Sequence, residues 1–143
     1  LLLIGSGSRE KLIKNFIKNN KLEKSIKLIK NIQNPFPYIL KSDLVLLTSI
    51  YEGLPNVLLE SIVLNKFIIS SNCPTGPSEI LSYGKGGFLF KVGDYNELSN
   101  KILIFKNKQK QLKSKIIFAQ KNLKKFEYEF NLKKYKKFID KFI

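Results

Sequence analysis

Five short apolar runs, at residues 1–4, 26–29, 43–48, 67–71 and 87–91, are separated by stretches of helical periodicity or by turn residues. Strands that alternate with helices return to the same edge of a sheet by crossover, so the pattern predicts an α/β fold with a parallel sheet flanked by helices. Between the first two runs, Leu12, Ile13, Phe16 and Ile17 recur on one helical face while Lys11, Lys14 and Lys18 occupy the other, the mark of a surface helix. Asn34-Pro35-Phe36-Pro37 reads as a turn, followed by a short helix leading to Ser42-Asp43 and the unbroken run Leu44-Val45-Leu46-Leu47. A run without polar alternation is expected to form a central strand covered on both faces. Beyond residue 94 the strand signals stop, and two or three helices are expected to close the domain. Phe118, Leu123, Phe126, Phe130, Tyr135, Phe138 and Phe142 give the last of them a broad aromatic face, suited to core packing or to docking a further domain.

At 143 residues the chain suits one compact domain, with residues 101–143 as its Lys-rich closing helices. It contains no Met and opens on Leu1-Leu2-Leu3-Ile4-Gly5, a core strand already under way, so it is expected to be a fragment. No apolar run approaches the roughly 18 residues that suggest a membrane span, and no secretory signal is evident, which together lead to an expected cytoplasmic location. Cys73 is the single cysteine and there is no His, so an internal disulfide, a Cys/His zinc centre and a His general base are all excluded within this chain.

Net charge is +15, of which residues 101–143 supply +11 through 14 lysines against 3 acidic side chains. A field of that sign attracts phosphates, nucleic acid or an anionic membrane surface. The basic residues are 25 Lys to one Arg in a chain also rich in Ile and Asn, which fits codon bias in an AT-rich genome, and a charge run is usually a solvated face, so that plainer reading is preferred.

The segment from Tyr51 to Leu64, YEGLPNVLLESIVL, carries the most chemistry. Pro55 suits the first turn of a helix, so the chain is expected to leave its strand at Thr48-Ser49, loop through Glu52 and enter a helix near Pro55. Glu60 falls within an apolar helical run, where an ionised carboxylate is costly without a hydrogen-bonding partner, and a ribose diol is one such partner. The first backbone N–H groups, around Asn56, Val57 and Leu58, are expected to lack intrahelical acceptors and to offer a diphosphate site at the carboxyl end of a parallel strand. Glu52 would stand one turn ahead of it. A purely structural alternative has Glu52 capping the helix and Glu60 pairing with a lysine.

Glu52 and Glu60 are separated by seven residues, within the phrase EGLPNVLLE. With LLLIGSGS at the start, NPFPYILKSDLVLLTS before this phrase, NCPTGPSEIL and GGFLFKVGD after it and a closing FEYEFNLKKYKKFI, the chain resembles the retaining glycosyltransferases of family 4 with GT-B architecture. The resemblance implies a Rossmann-like parallel sheet with C-terminal helices, forming the C-terminal, donor-binding half of a GT-B fold whose N-terminal acceptor domain is absent. By position it implies that Glu60 holds the nucleotide ribose and that Glu52 acts at the donor sugar as the catalytic carboxylate. It also implies that the amides of Asn56, Val57 and Leu58 hold the diphosphate, that Lys30, Asn31 and Ile32 lie along the nucleobase, and that the Gly5-Ser6-Gly7 loop borders the cleft. Such enzymes work without a metal cofactor on a nucleotide sugar, here expected to be UDP-linked, and the same resemblance implies transfer of a hexose or N-acetylhexosamine to a glycan or lipid-linked acceptor, as in polysaccharide and lipopolysaccharide biosynthesis. Expected partners are therefore the donor, the missing domain and the anionic inner membrane surface, with no nucleic acid. Against the family pattern, Lys30 and Asn65 stand where Gly is usual, Phe67 where Pro is usual and Ser61 where Ala is usual.

Other readings fare less well. Gly5-x-Gly7 follows a strand, but the third Gly of a dinucleotide-binding turn is missing and no acidic residue ends the second strand. Ser49, Ser61 and Ser78 sit in no nucleophile elbow, and without His there is no triad. Gly84, Gly86 and Gly87 are expected to shape a turn, and Cys73 to pack as a small apolar residue. The alternative from a different class is a non-catalytic basic module, in which the closing helices bind an anionic membrane or nucleic acid through lysines interleaved with aromatics.

Overall fold

The computed structural model describes residues 1–30 and 32–142, which form an α/β chain of two compact units, Leu1–Pro37 and Tyr38–Ile143. The first unit holds β1 (Leu2–Ile4), α1 (Glu10–Asn19) and β2 (Lys27–Ile29), with the strands parallel and Leu3 opposite Leu28. Helix α2 (Phe36–Lys41) straddles the boundary, and the Asn34 side-chain oxygen accepts from the Phe36 N–H at 3.0 Å where the turn was expected.

The second unit contains β3 (Leu44–Leu47), α3 (Asn56–Val63), β4 (Phe67–Ser71), α4 (Pro77–Ile80), β5 (Phe88–Phe90), α5 (Tyr95–Asn122), a 3-10 turn (Leu123–Phe126) and α6 (Tyr128–Ile139). Its three strands are all parallel in the order β3-β4-β5. The centre of this sheet is therefore β4, buried at every residue, and β3 flanks it with half-buried residues. The expectation of a central strand at Leu44–Leu47 is corrected to that extent. An apolar run establishes burial on both faces but says nothing of rank within the sheet.

Alternation along each strand builds two cores. Val45, Leu47, Ile68 and Leu89 pack with Leu58 and Ile62 of α3, Ile80, Leu81 and Ala119. Leu44, Leu46, Phe67, Ile69, Phe88 and Phe90 pack on the opposite face with Leu98, Ile102, Phe105, Leu112 and Ile116 of α5. Phe67 sits edge-on to Phe88 at 5.0 Å and stacks on Phe105 at 5.3 Å. Helix α5 contributes to both cores, and Lys108 interrupts it with non-helical backbone angles (φ −125°, ψ 24°). Such a break lets one long helix change direction over a twisted sheet. The Asp94 side chain caps its start, accepting from the Glu97 N–H at 2.8 Å.

The aromatic face anticipated for the closing helix divides. Phe118, Leu123, Phe126 and Phe130 are half-buried, whereas Tyr128, Tyr135, Phe138 and Phe142 are exposed. On α6 Lys133, Lys136 and Lys137 lie away from the exposed Tyr135 and Phe138 at helical spacing, whereas the Lys134 ammonium sits 4.6 Å from the Phe130 ring centroid.

Candidate functional site

Each unit presents a cluster at the carboxyl ends of its parallel strands, where open α/β sheets place ligands. In the second unit the chain leaves β3 into an exposed loop, with Tyr51 80% and Leu54 50% exposed, and enters α3 at Pro55. Pro55 is the cap residue in extended conformation (φ −70°, ψ 99°), and no side chain among the described residues caps the helix. The N–H groups of Asn56 and Val57 have no hydrogen-bond acceptor among the described residues.

The Leu58 N–H, expected to be a third free donor, instead donates to the Pro55 carbonyl at 3.0 Å, and the residue is fully buried. A tight first turn of the 3-10 type closes this bond, which narrows the free amides to Asn56 and Val57.

Glu52 and Glu60 are both half-buried, and neither carboxylate takes part in an ion pair or side-chain hydrogen bond among the described residues. The structural alternative, in which Glu52 caps α3 and Glu60 pairs with a lysine, is absent among those residues. Ser61, buried beside Glu60, is satisfied within the helix, its hydroxyl donating to the Val57 carbonyl at 2.6 Å. Asn65 closes the helix in the left-handed conformation (φ 58°), and the Lys66 N–H returns to the Ser61 carbonyl at 2.9 Å. Asn tolerates that geometry better than other non-glycine residues, which explains its presence at a position where Gly is usual.

The loop carrying Glu52 is held from the β4–α4 side. Ser71, the last residue of β4, donates its hydroxyl to the Ser49 carbonyl at 2.6 Å, and the Thr75 hydroxyl donates to the Glu52 carbonyl. Gly76 lies so close that a Cβ there would overlap the Gly53 carbonyl oxygen and come within 2.6 Å of Pro55 Cδ. Its φ of 87° also favours glycine. Thr75 and Gly76 lie within the phrase NCPTGPSEIL that carries the resemblance, but the sequence assigned no role to them or to Ser71.

In the first unit the Gly5 N–H donates to the Ile29 carbonyl at 2.9 Å, and the Gly7 carbonyl accepts from the Glu10 N–H at 3.1 Å. Glu10, the first residue of α1, pairs with Lys30 and Lys14, each at 2.7 Å. The Lys14 and Lys30 ammonium groups hydrogen-bonded to it hold its carboxyl below the ordinary glutamate value. Gly5, Gly7 and Lys30 are thus gathered at one end of the β1–β2 pair, and Glu10, which sequence reasoning passed over, joins them. The Lys30 ammonium is already engaged by Glu10, so what Lys30 presents freely is its aliphatic stem. Ile32 is half-buried, and Asn31 lies outside the described residues. Among the described residues no group of three or more His, Cys, Asp or Glu could hold a metal ion, and no helix is long and apolar enough to cross a membrane.

Comparison with known proteins agrees with this architecture. The family described as "Glycosyl transferases group 1" matches residues 1–123. An uncharacterized glycosyltransferase of Methanocaldococcus jannaschii is 33% identical over 104 residues, covering 64% of this chain and 26% of that protein. The N-acetylgalactosamine-N,N'-diacetylbacillosaminyl-diphospho-undecaprenol 4-alpha-N-acetylgalactosaminyltransferase of Campylobacter jejuni is 26% identical, covering 68% of this chain and 27% of that protein. Among solved structures, a Staphylococcus aureus TarM variant crystallised with fondaparinux, alpha-GlcNAc-glycerol and UDP superposes with a TM-score of 0.84 at 25% identity, covering 94% of this chain and 27% of that one. The chain therefore spans about a quarter of the length of these relatives. The parallel α/β architecture flanked by helices is that of GT-B glycosyltransferase structures.

Proposed function

The chain belongs to the group 1 glycosyl transferases, and on that premise we propose that it is the C-terminal, donor-binding part of a retaining family 4 glycosyltransferase that takes a UDP-sugar. The observation that carries this reading is the pair of half-buried carboxylates of Glu52 and Glu60, before and after the amides of Asn56 and Val57 in sequence, all without a partner among the described residues. A half-buried carboxylate without a protein partner is favoured by a hydroxyl-rich ligand, and free amides at a helix start favour a diphosphate.

In this account Glu60 accepts hydrogen bonds from the ribose hydroxyls, the two amides and the α3 dipole hold the diphosphate, and Glu52 contacts the sugar near the reacting carbon. As the bond to the sugar breaks, charge accumulates on the leaving diphosphate, where fixed amide donors stabilise it without reorganisation. Transfer with retention then proceeds by attack of the acceptor hydroxyl on the face the diphosphate leaves, with a phosphate oxygen taking the proton. UDP in the TarM complex supports the choice of base. The N-acetylgalactosaminyl transfer named for the Campylobacter relative supports a hexose or N-acetylhexosamine and a lipid-linked acceptor.

The acceptor is bound by the remainder of the polypeptide, and the exposed Tyr128, Tyr135, Phe138 and Phe142 of the closing segment form the surface that remainder covers. The lysines on the other side of α6 then face the anionic cytoplasmic membrane surface that carries the acceptor. This holds the enzyme peripherally, since basic groups near such a surface contribute about 1 kcal/mol each.

Calorimetric titration of the chain with UDP and GDP tests the donor assignment, repeated on Glu60→Ala and on a variant with Lys124, Lys125, Lys133, Lys134, Lys136 and Lys137 changed to Gln. UDP binding that is lost with Glu60→Ala and kept by the lysine variant is expected. Absence of binding by a folded wild-type chain, with retention on anionic vesicles or nucleic acid that depends on the lysines, would replace the donor reading by the basic-module reading.

A further inference from the structure

We propose that Thr75 is a positioning residue for the donor sugar, acting through its hydrogen bond to the Glu52 backbone carbonyl. The proposal rests on the donor-site reading of Glu52 and Glu60 and adds to it a residue that touches neither nucleotide nor sugar.

Glu52 stands in an exposed loop with neighbours Tyr51 and Gly53 also exposed, and its carboxylate has no partner among the described residues. Nothing on its own side chain fixes its direction. The backbone that carries it is held at the following peptide group, where the Thr75 hydroxyl donates to the Glu52 carbonyl. The two ends of the loop are secured independently. Ser71, 1% exposed, holds Ser49 at 2.6 Å, and Gly76 packs against Gly53 and Pro55. Cys73, buried two residues before Thr75, lies with its sulfur 3.9 Å from the Thr75 carbonyl, tying the donor loop to the core. The helix entry at Pro55, and with it the amides of Asn56 and Val57, is thus anchored by Gly76. The orientation of Glu52 depends on Thr75.

This division predicts a split between two ligands that differ only by the sugar. Removing the Thr75 hydroxyl frees Glu52 while leaving the diphosphate and ribose contacts in place. The bond is exposed and so lies at the weak end of the range for hydrogen bonds, and the affinity for the sugar-bearing ligand is expected to fall roughly 2- to 3-fold relative to UDP. Thr75 itself is exposed, so its replacement removes no core packing.

The test titrates the wild-type chain, Thr75→Val, Thr75→Ser and Glu52→Ala with UDP, UDP-glucose and UDP-N-acetylglucosamine, following amide shifts by NMR. The expected result is that Thr75→Val keeps the wild-type UDP affinity, loses the added affinity given by the sugar to the same extent as Glu52→Ala, and that Thr75→Ser restores it. Equal weakening of UDP and UDP-sugars by Thr75→Val would show a general prop for the loop and overturn the proposal. Unchanged affinity for all ligands would overturn it as well. If the wild-type chain binds UDP with no gain from either sugar, Glu52 is not the sugar ligand and the proposal falls while the Glu60 assignment stands. If it binds no nucleotide, the donor-site reading fails with it.

Discussion

The Thr75 hydroxyl donates to the backbone carbonyl of Glu52, joining the loop after β4 to the loop after β3 across 23 residues of sequence. Two neighbouring strands of a parallel sheet thereby share responsibility for one loop, and the position of Glu52 is a property of both crossovers rather than of its own helix.

Gly76→Ala is expected to destabilise the chain by about 1–3 kcal/mol, because the new methyl group meets Gly53 and Pro55 and the backbone is in a region that alanine rarely adopts. Gly53→Ala, whose Cβ meets nothing within 4 Å, serves as the matched control. Urea denaturation of both variants checks this, and comparable losses would contradict the close approach.

Glu60→Gln separates function from stability. Since the carboxylate has no protein partner among the described residues, the substitution is expected to change stability by less than about 0.5 kcal/mol while weakening UDP binding. A large loss of stability would mean that Glu60 is held by the fold rather than free for a ligand.

Acid sensitivity is expected from Glu97. The Lys91 N–H, donating to it at 2.7 Å, and then the Lys101 ammonium hold its carboxyl below the ordinary value of 4.5. A depressed folded value means the contribution is fully present above 4.5 and is lost as pH falls through the lower folded value. Melting temperature measured across that range should therefore fall more steeply for the wild type than for Glu97→Gln. Parallel curves would remove Glu97 from the account.

The fully buried Ile69 lies on β4 and packs against Phe67, Phe90 and Phe105 in the core under α5. Ile69→Ala is expected to cost about 2–5 kcal/mol by denaturant unfolding. A loss below about 1 kcal/mol would mean the site collapses around the missing atoms.

Strand positions were legible because an apolar run bounded by polar residues fixes its own limits. The run at 67–71 coincides with Phe67–Ser71, and the other four differ from their strands by one residue at each unmatched end. Burial order was not legible, since Leu44–Leu47 and Phe67–Ser71 look alike as sequence and only pairing distinguishes β4 as the centre. At the candidate site the helix entry followed from Pro55, while Glu52 and Glu60 were singled out by their places before and within the apolar run and by the resemblance of the phrase EGLPNVLLE. The Leu58 amide was misjudged because a general rule of four free donors ignores a tightened first turn. The roles of Thr75 and Glu10 escaped notice for a related reason. A side chain reaching a backbone carbonyl or a lysine in another element leaves no periodicity behind.

The central claim, that the start of α3 receives a nucleotide diphosphate between two carboxylates, is tested most directly by mapping backbone amide shifts of the chain on addition of UDP. The account predicts that the largest changes fall on Asn56 and Val57, extend to Glu60, and vanish in Glu60→Ala. Changes confined to the lysines of α5 and α6, or none at all in a folded chain at millimolar UDP, would contradict it.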